Sequence, residues 1–225
     1  MILPAVREIR WFRRRLLAWY RGNGRSFPWR NKSATLYHKV VSEILLQRTK
    51  AETVADFFPG FIKLYPSWTV LARASESDLQ KLLKPIGLWR QRAASIKRLA
   101  KEMDRRNGRF PRERDEIEAL PGVGQYIANA VLLFCYKDSQ PLLDTNMARV
   151  LERFFGPRTL ADIRDDPYLQ GLSKAVVDGE NPIYINWAVL DLAALVCKNS
   201  DPRCDMCPLC NKCRFASAEG RQSVR

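Results

Sequence analysis

Four cysteines late in the chain, Cys197, Cys204, Cys207 and Cys213, stand within 17 residues at a Cys-x6-Cys-x2-Cys-x5-Cys spacing. Four thiolates that close together in a tight loop can hold one metal cluster. Two other arrangements are chemically open. A four-cysteine zinc ribbon separates two CxxC knuckles by a longer loop, and free buried thiols do not bunch on a polar, proline-containing segment. The absence of a distant second knuckle favours iron and sulfur over zinc. Cys210 lies inside the run and would make a CxxCxxC triplet with Cys204 and Cys207, but it reads as a spare; Cys135, beside the apolar run Val131 to Phe134, reads as a small core residue. Crowding of five of the six cysteines into one stretch is unlike a disulfide framework and points to a reducing, cytoplasmic setting.

A second constellation is Leu120-Pro121-Gly122-Val123-Gly124, between a helix predicted to end near Ala119 and another predicted from Gln125 to about Tyr136. Two glycines in such a link let the backbone turn sharply and aim N–H groups at a phosphate, a clamp that reads no sequence. A plain tight turn would use the same residues. Further along come Leu143-Asp144-Thr145-Asn146 with Arg149 and Val150, and then the four cysteines. In that order these motifs resemble the endonuclease III superfamily of DNA glycosylases, with helix-hairpin-helix and iron-sulfur parts. The likeness extends over nearly the whole chain, including Phe27-Pro28-Trp29-Arg30 and the stretch Ser42 to Thr49.

The resemblance implies roles for particular residues. Asp144 falls where the family carries the carboxylate that stabilises positive charge developing on the sugar, although its place before a helical run also suits an N-cap. Glu43 matches the general acid of the adenine-specific branch; its other reading is a solvated face residue. Gln47 and Arg48 match the segment that enters the duplex beside the vacated stack, and Leu120, Gly122, Val123 and Gly124 form the DNA-binding hairpin. Cys197, Cys204, Cys207 and Cys213 would hold a [4Fe-4S] cluster.

At the second residue after the hairpin, where strand-cleaving members carry a lysine, this chain has Tyr126. A phenol forms no Schiff base, so a monofunctional enzyme without lyase activity is expected. Tyr126, Glu43 and Gly87-Leu88 followed by Gln91-Arg92-Ala93 together resemble the Mig-type thymine/uracil-DNA mismatch glycosylases. The expected partner is therefore double-stranded DNA with a mismatched, flipped-out base. Two alternatives stand beside this. One is an adenine glycosylase without the domain that reads 8-oxoguanine, since only 12 residues follow Cys213 before Arg225; the other is a non-catalytic DNA-binding module.

Charge supports a nucleic-acid partner. The chain of 225 residues carries 38 Lys and Arg against 24 Asp and Glu, a net charge of +14 that exceeds what solubility requires. No run of about 18 apolar residues spans a bilayer and no signal-peptide pattern is present, so an unprocessed, soluble, nucleoid-associated monomer is expected, with no membrane partner. His38 is the only histidine, which leaves zinc-water and Ser-His chemistry unsupported.

The elements that must carry these residues read as helices throughout. Val40, Val41, Ile44, Leu45 and Val54 recur at helical spacing and predict one helix from Tyr37 to Phe57, with Glu43 and Gln47 on one face. Leu79, Leu82, Leu83 and Ile86 repeat the pattern, as do Ala93, Ile96, Leu99 and Ala100. Ile9, Phe12, Leu16, Trp19 and Tyr20 make the Arg-rich opening a first helix. With no two-residue alternation and turn signals at short intervals, the chain is expected to be all-α. The resemblance implies a six-helix barrel domain with the hairpin at residues 29–139. It also implies a discontinuous cluster domain of residues 1–28 and 140–225, with DNA in the cleft between the two.

Overall fold

The computed structural model describes residues 3–221; Arg225, from which the distance to Cys213 was counted, lies outside the described residues. Among these residues the regular structure is helical only. The order is α1 (Val6–Asn23), α2 (Leu36–Leu46), α3 (Ala51–Leu64), α4 (Trp68–Arg73), α5 (Glu76–Leu83), α6 (Trp89–Arg105), α7 (Arg114–Glu118), α8 (Gln125–Tyr136), α9 (Thr145–Phe155), α10 (Pro167–Val177), α11 (Pro182–Leu195) and α12 (Arg214–Ala218). The chain divides into two compact units, Ser26–Tyr136 and a discontinuous one of Met1–Arg25 with Lys137–Arg225.

In the unit Ser26–Tyr136, side-chain caps set where helices begin. The Thr35 hydroxyl accepts the His38 N–H while His38 Nδ1 accepts the Thr35 N–H, both at 3.3 Å, so the single histidine completes a capping box. The Ser67 and Ser75 hydroxyls cap α4 and α5 by accepting the Val70 and Asp78 N–H groups. Inside, Val40, Val41 and Leu45 of α2 join Phe61, Leu79, Leu83, Ile96 and Leu99 in one core. Trp29 stacks on Phe27 at 4.9 Å and meets Phe58 edge-on at 5.5 Å, which ties the Phe27 to Arg30 segment to that core.

The single helix expected from Tyr37 to Phe57 is instead two. Gln47 leaves helical geometry and Arg48 adopts φ +54°, so α2 stops at Leu46 and α3 begins at Ala51. The cause is distant in sequence. Arg92 Nη2 takes the Gln47 carbonyl at 2.7 Å, the group that a continuing helix would have given to the N–H of residue 51.

The discontinuous unit is built around aromatic contacts across a long sequence gap. Phe12 of α1 lies 5.0 Å from Phe154 and 5.2 Å from Phe155, and Ile9 and Leu16 extend the same stripe. Truncating Phe12 would cost about 3–5 kcal/mol. Helix α11 buries residues on every side, and its one carboxylate, Asp191, is satisfied by the N–H and the Nε of Arg25, each at 2.8 Å. Asn186, fully buried, accepts the Leu142 N–H at 2.6 Å and donates to the Gln140 carbonyl at 3.0 Å, which fixes the segment leading to Asp144.

Candidate active site

Two groups of candidate residues fall in the unit Ser26–Tyr136. Glu43, on α2, is 4% exposed, which removes the reading of a solvated face residue. The Tyr126 hydroxyl on α8 donates to Glu43 Oε2 at 2.9 Å. A carboxylate withdrawn from water needs such a donor, and the tyrosine supplies it from the first turn of the helix that follows the hairpin. Tyr126 is half-buried against the core, so its ring packs while its hydroxyl works on Glu43. Gln47 and Arg48, beyond the end of α2, are exposed.

The hairpin divides its labour. Leu120 and Val123 are core residues, and their N–H groups are engaged inside the turn, with Ile117 and Leu120 carbonyls, both at 3.1 Å. Gly122 and Gly124 are the exposed members. Gly122 has φ +74°, and a Cβ there would stand 3.1 Å from Ser95 Cβ, so backbone geometry and close approach both require glycine. The hairpin thus offers backbone rather than side chains to a ligand, as a phosphate clamp would.

Asp144 lies in the discontinuous unit, where it does cap α9. Its Oδ1 accepts the N–H groups of Asn146 and Met147 at 2.9 and 2.8 Å, and its Oδ2 accepts Asn146 Nδ2 at 2.7 Å. Asn146 Oδ1 in turn accepts Arg149 at 3.2 Å, and Arg149 donates to the carbonyls of Cys197 and Ala193 at 2.9 and 3.1 Å. The cap reading and the catalytic reading are therefore compatible, since capping aims a half-buried carboxylate in one direction. Asn186 was not singled out from the sequence, and Asn146 and Arg92 stood there only as members of motifs, with no role of their own. For Arg92 a signal existed, because it occupies the apolar stripe of α6 with Ala93, Ile96 and Leu99.

The C-terminal cysteines surround a cavity of about 20 Å3 lined by Cys197, Cys204, Cys207, Cys210 and Cys213. Five sulfurs around one small cavity are a donor set of the kind that an iron-sulfur cluster takes. Burial pushes the Cys207 thiol up to about 12, and burial likewise raises Cys204 and Cys213. Thiols in such surroundings become ligands only where a strongly positive centre favours the thiolate. Arg153 Nη1 lies 3.4 Å from Cys197 Sγ and also donates to the Lys198 carbonyl at 2.6 Å. Cys210, 5% exposed, points its Sγ at the Arg221 carbonyl, 3.4 Å away.

The HhH-GPD superfamily of base excision DNA repair proteins matches residues 41–165, a span containing Glu43, Gln47, the hairpin, Tyr126 and Asp144. The chain belongs to this superfamily. Among HhH-GPD relatives, it is 37% identical over 215 residues to the thymine/uracil-DNA glycosylase of Pyrobaculum aerophilum, covering 93% of each chain. It is 31% identical to human adenine DNA glycosylase, of which it spans 40%. The solved structure of a thermostable thymine-DNA glycosylase matches with TM-score 0.85 at 30% identity, over 94% of this chain and 98% of that one. A trapped endonuclease III-DNA covalent intermediate matches with TM-score 0.79 at 23% identity, over 97% of this chain and 100% of that one, which establishes the shared all-helical fold.

Proposed function

We propose that this HhH-GPD protein is a monofunctional DNA glycosylase that hydrolyses the N-glycosidic bond of thymine or uracil mispaired with guanine in duplex DNA. The observation that carries the reading is the pair Tyr126–Glu43 at 2.9 Å, a phenol bound to a buried carboxylate at the position where a strand-cleaving enzyme carries its amine. The names of the relatives at 37% identity point the same way. Once the mispaired base is flipped out, its bond to C1′ breaks and positive charge grows on the sugar, where the Asp144 carboxylate stabilises it. Water adds to C1′, its oxygen becoming the sugar hydroxyl and its proton leaving toward the base or a nearby carboxylate. Tyr126 and Glu43 hold the pyrimidine by hydrogen bonds, and the backbone at Gly122 and Gly124 grips phosphate. Cys197, Cys204, Cys207 and Cys213 would hold a [4Fe-4S] cluster, which supplies a covalent tie for a segment with little core of its own.

A panel of duplexes carrying T/G, U/G, A/G and A opposite 8-oxoguanine, each assayed with and without alkali, tests the reading. Thymine or uracil should be released, with the strand breaking only after alkali. Release of adenine alone would overturn the substrate assignment, and breakage without alkali would overturn the monofunctional one. A preference between thymine and uracil should be modest, because one methyl group in a pocket is worth only about 1–3 kcal/mol.

A further inference from the structure

Arg92 is 4% exposed on α6, and its hydrogen-bond partners are carbonyls and a hydroxyl rather than a carboxylate. Its Nη1 donates to the carbonyls of Ile86 and Gly87 at 2.9 and 2.5 Å, and its Nη2 to the Gln47 carbonyl and Thr49 Oγ1 at 2.7 and 3.1 Å. Thr49 Oγ1 donates onward to the Ile86 carbonyl at 3.0 Å. One planar guanidinium therefore joins two loops, the α2–α3 link and the turn before α6. Each loop has at its tip an exposed non-glycine residue in the left-handed region, Arg48 at φ +54° and Leu88 at φ +49°. A cavity of about 570 Å3 opens beside them, with Gln47, Ser95 and Gly122 in its walls.

Two tips in a backbone conformation that their residue types disfavour will hold it only if the surroundings enforce it. We propose that Arg92 is a positioning residue for base extrusion. It sets the loops bearing Arg48 and Leu88 in advance, so that the ordering of these loops is complete before the duplex is opened. A lysine at this position cannot replace it, because a single ammonium lacks the fork that reaches both loops.

The inference rests on the glycosylase reading, and its test measures unstacking separately from bond cleavage. 2-Aminopurine placed next to a T/G mispair brightens when its neighbour leaves the stack. Arg92→Lys should bind fully paired duplex within about twofold of the wild type, since phosphate contacts are untouched. It should lose the fluorescence rise, and its single-turnover base release should fall on the order of 100-fold. A folded Arg92→Lys protein with wild-type fluorescence and release would overturn the proposal. Should that variant fail to fold, Thr49→Val keeps the arginine and removes one acceptor; about a tenfold loss of unstacking is expected, and an undiminished signal would overturn the proposal equally. Base release by the wild type with no fluorescence rise would sink the positioning role and leave the glycosylase reading standing. Unstacking without base release from T/G or U/G would do the reverse.

Discussion

The Tyr126 hydroxyl donates to Glu43 Oε2 across 2.9 Å, joining the first turn of α8 to the last turns of α2 through a carboxylate that is otherwise withdrawn from solvent. Tyr126→Phe removes the donor and keeps the ring, so base release should fall about tenfold, near 1.4 kcal/mol, in single-turnover assays. Glu43→Gln should fall similarly. Because both changes break one bond, the double variant should lose less than the product of the two single losses. Full additivity would mean that the residues act independently.

Asp144→Asn is an informative substitution because asparagine caps helices as well as aspartate does. The bonds to the Asn146 and Met147 N–H groups can persist, while the charge and the bond that Oδ2 accepts from Asn146 Nδ2 are lost. Base release should be abolished while duplex affinity and melting temperature stay close to wild type, since affinity rests mainly on phosphate contacts. Wild-type release by this variant would confine Asp144 to its capping role.

The purified protein should be brown, with broad visible absorption and about four irons per chain. Cys210→Ala should keep the colour, whereas Cys197→Ala, Cys204→Ala, Cys207→Ala or Cys213→Ala should bleach it. Iron analysis decides between this and a colourless protein with one zinc. Loss of iron on replacing Cys210, whose sulfur faces the Arg221 carbonyl, would exchange it for one of the four.

Asp166 predicts a pH dependence. Burial pushes its carboxyl up, but the Thr159 hydroxyl and the N–H groups of Leu169, Leu160 and Thr159 outweigh that and hold it well below the usual carboxylate range. A carboxyl whose folded pKa is depressed contributes stability above its unfolded value, near 4, and that contribution is lost as pH falls below it. Asp166→Ala should therefore cost at least about 2 kcal/mol at pH 7, from a lost cap and orphaned donors. In denaturant titrations the gap to wild type should narrow as pH drops below about 4.

The helices, the hairpin, Asp144 as a helix cap and the cysteine run were legible because each depends on residues close together in sequence. Periodicity placed α5 and α6, and turn chemistry placed Gly122 and with it the start of α8. The break at Gln47 was not legible, since local periodicity favours continuation there and the group that prevents it, Arg92, lies 45 residues away. The burial of Glu43 and its bond to Tyr126 depend on how α2 packs against α8, which a single helix's pattern leaves open. Likewise, Asn186 fixes the approach to Asp144 from 44 residues beyond Leu142.

The discontinuity of the unit that carries Asp144 bears on how the protein is made. The α1 stripe of Ile9, Phe12 and Leu16 has its aromatic partners Phe154 and Phe155 some 142 residues later. At about 5–20 residues per second, the ribosome takes roughly 7–30 seconds to deliver them. Throughout that interval a strongly basic, apolar-striped helix waits without its packing surface, while Ser26–Tyr136 emerges as one uninterrupted stretch. The hairpin and the Tyr126–Glu43 pair can thus form on a nascent chain before Asp144 has the α9 helix that it caps, so the two halves of the proposed site are completed at different times during synthesis.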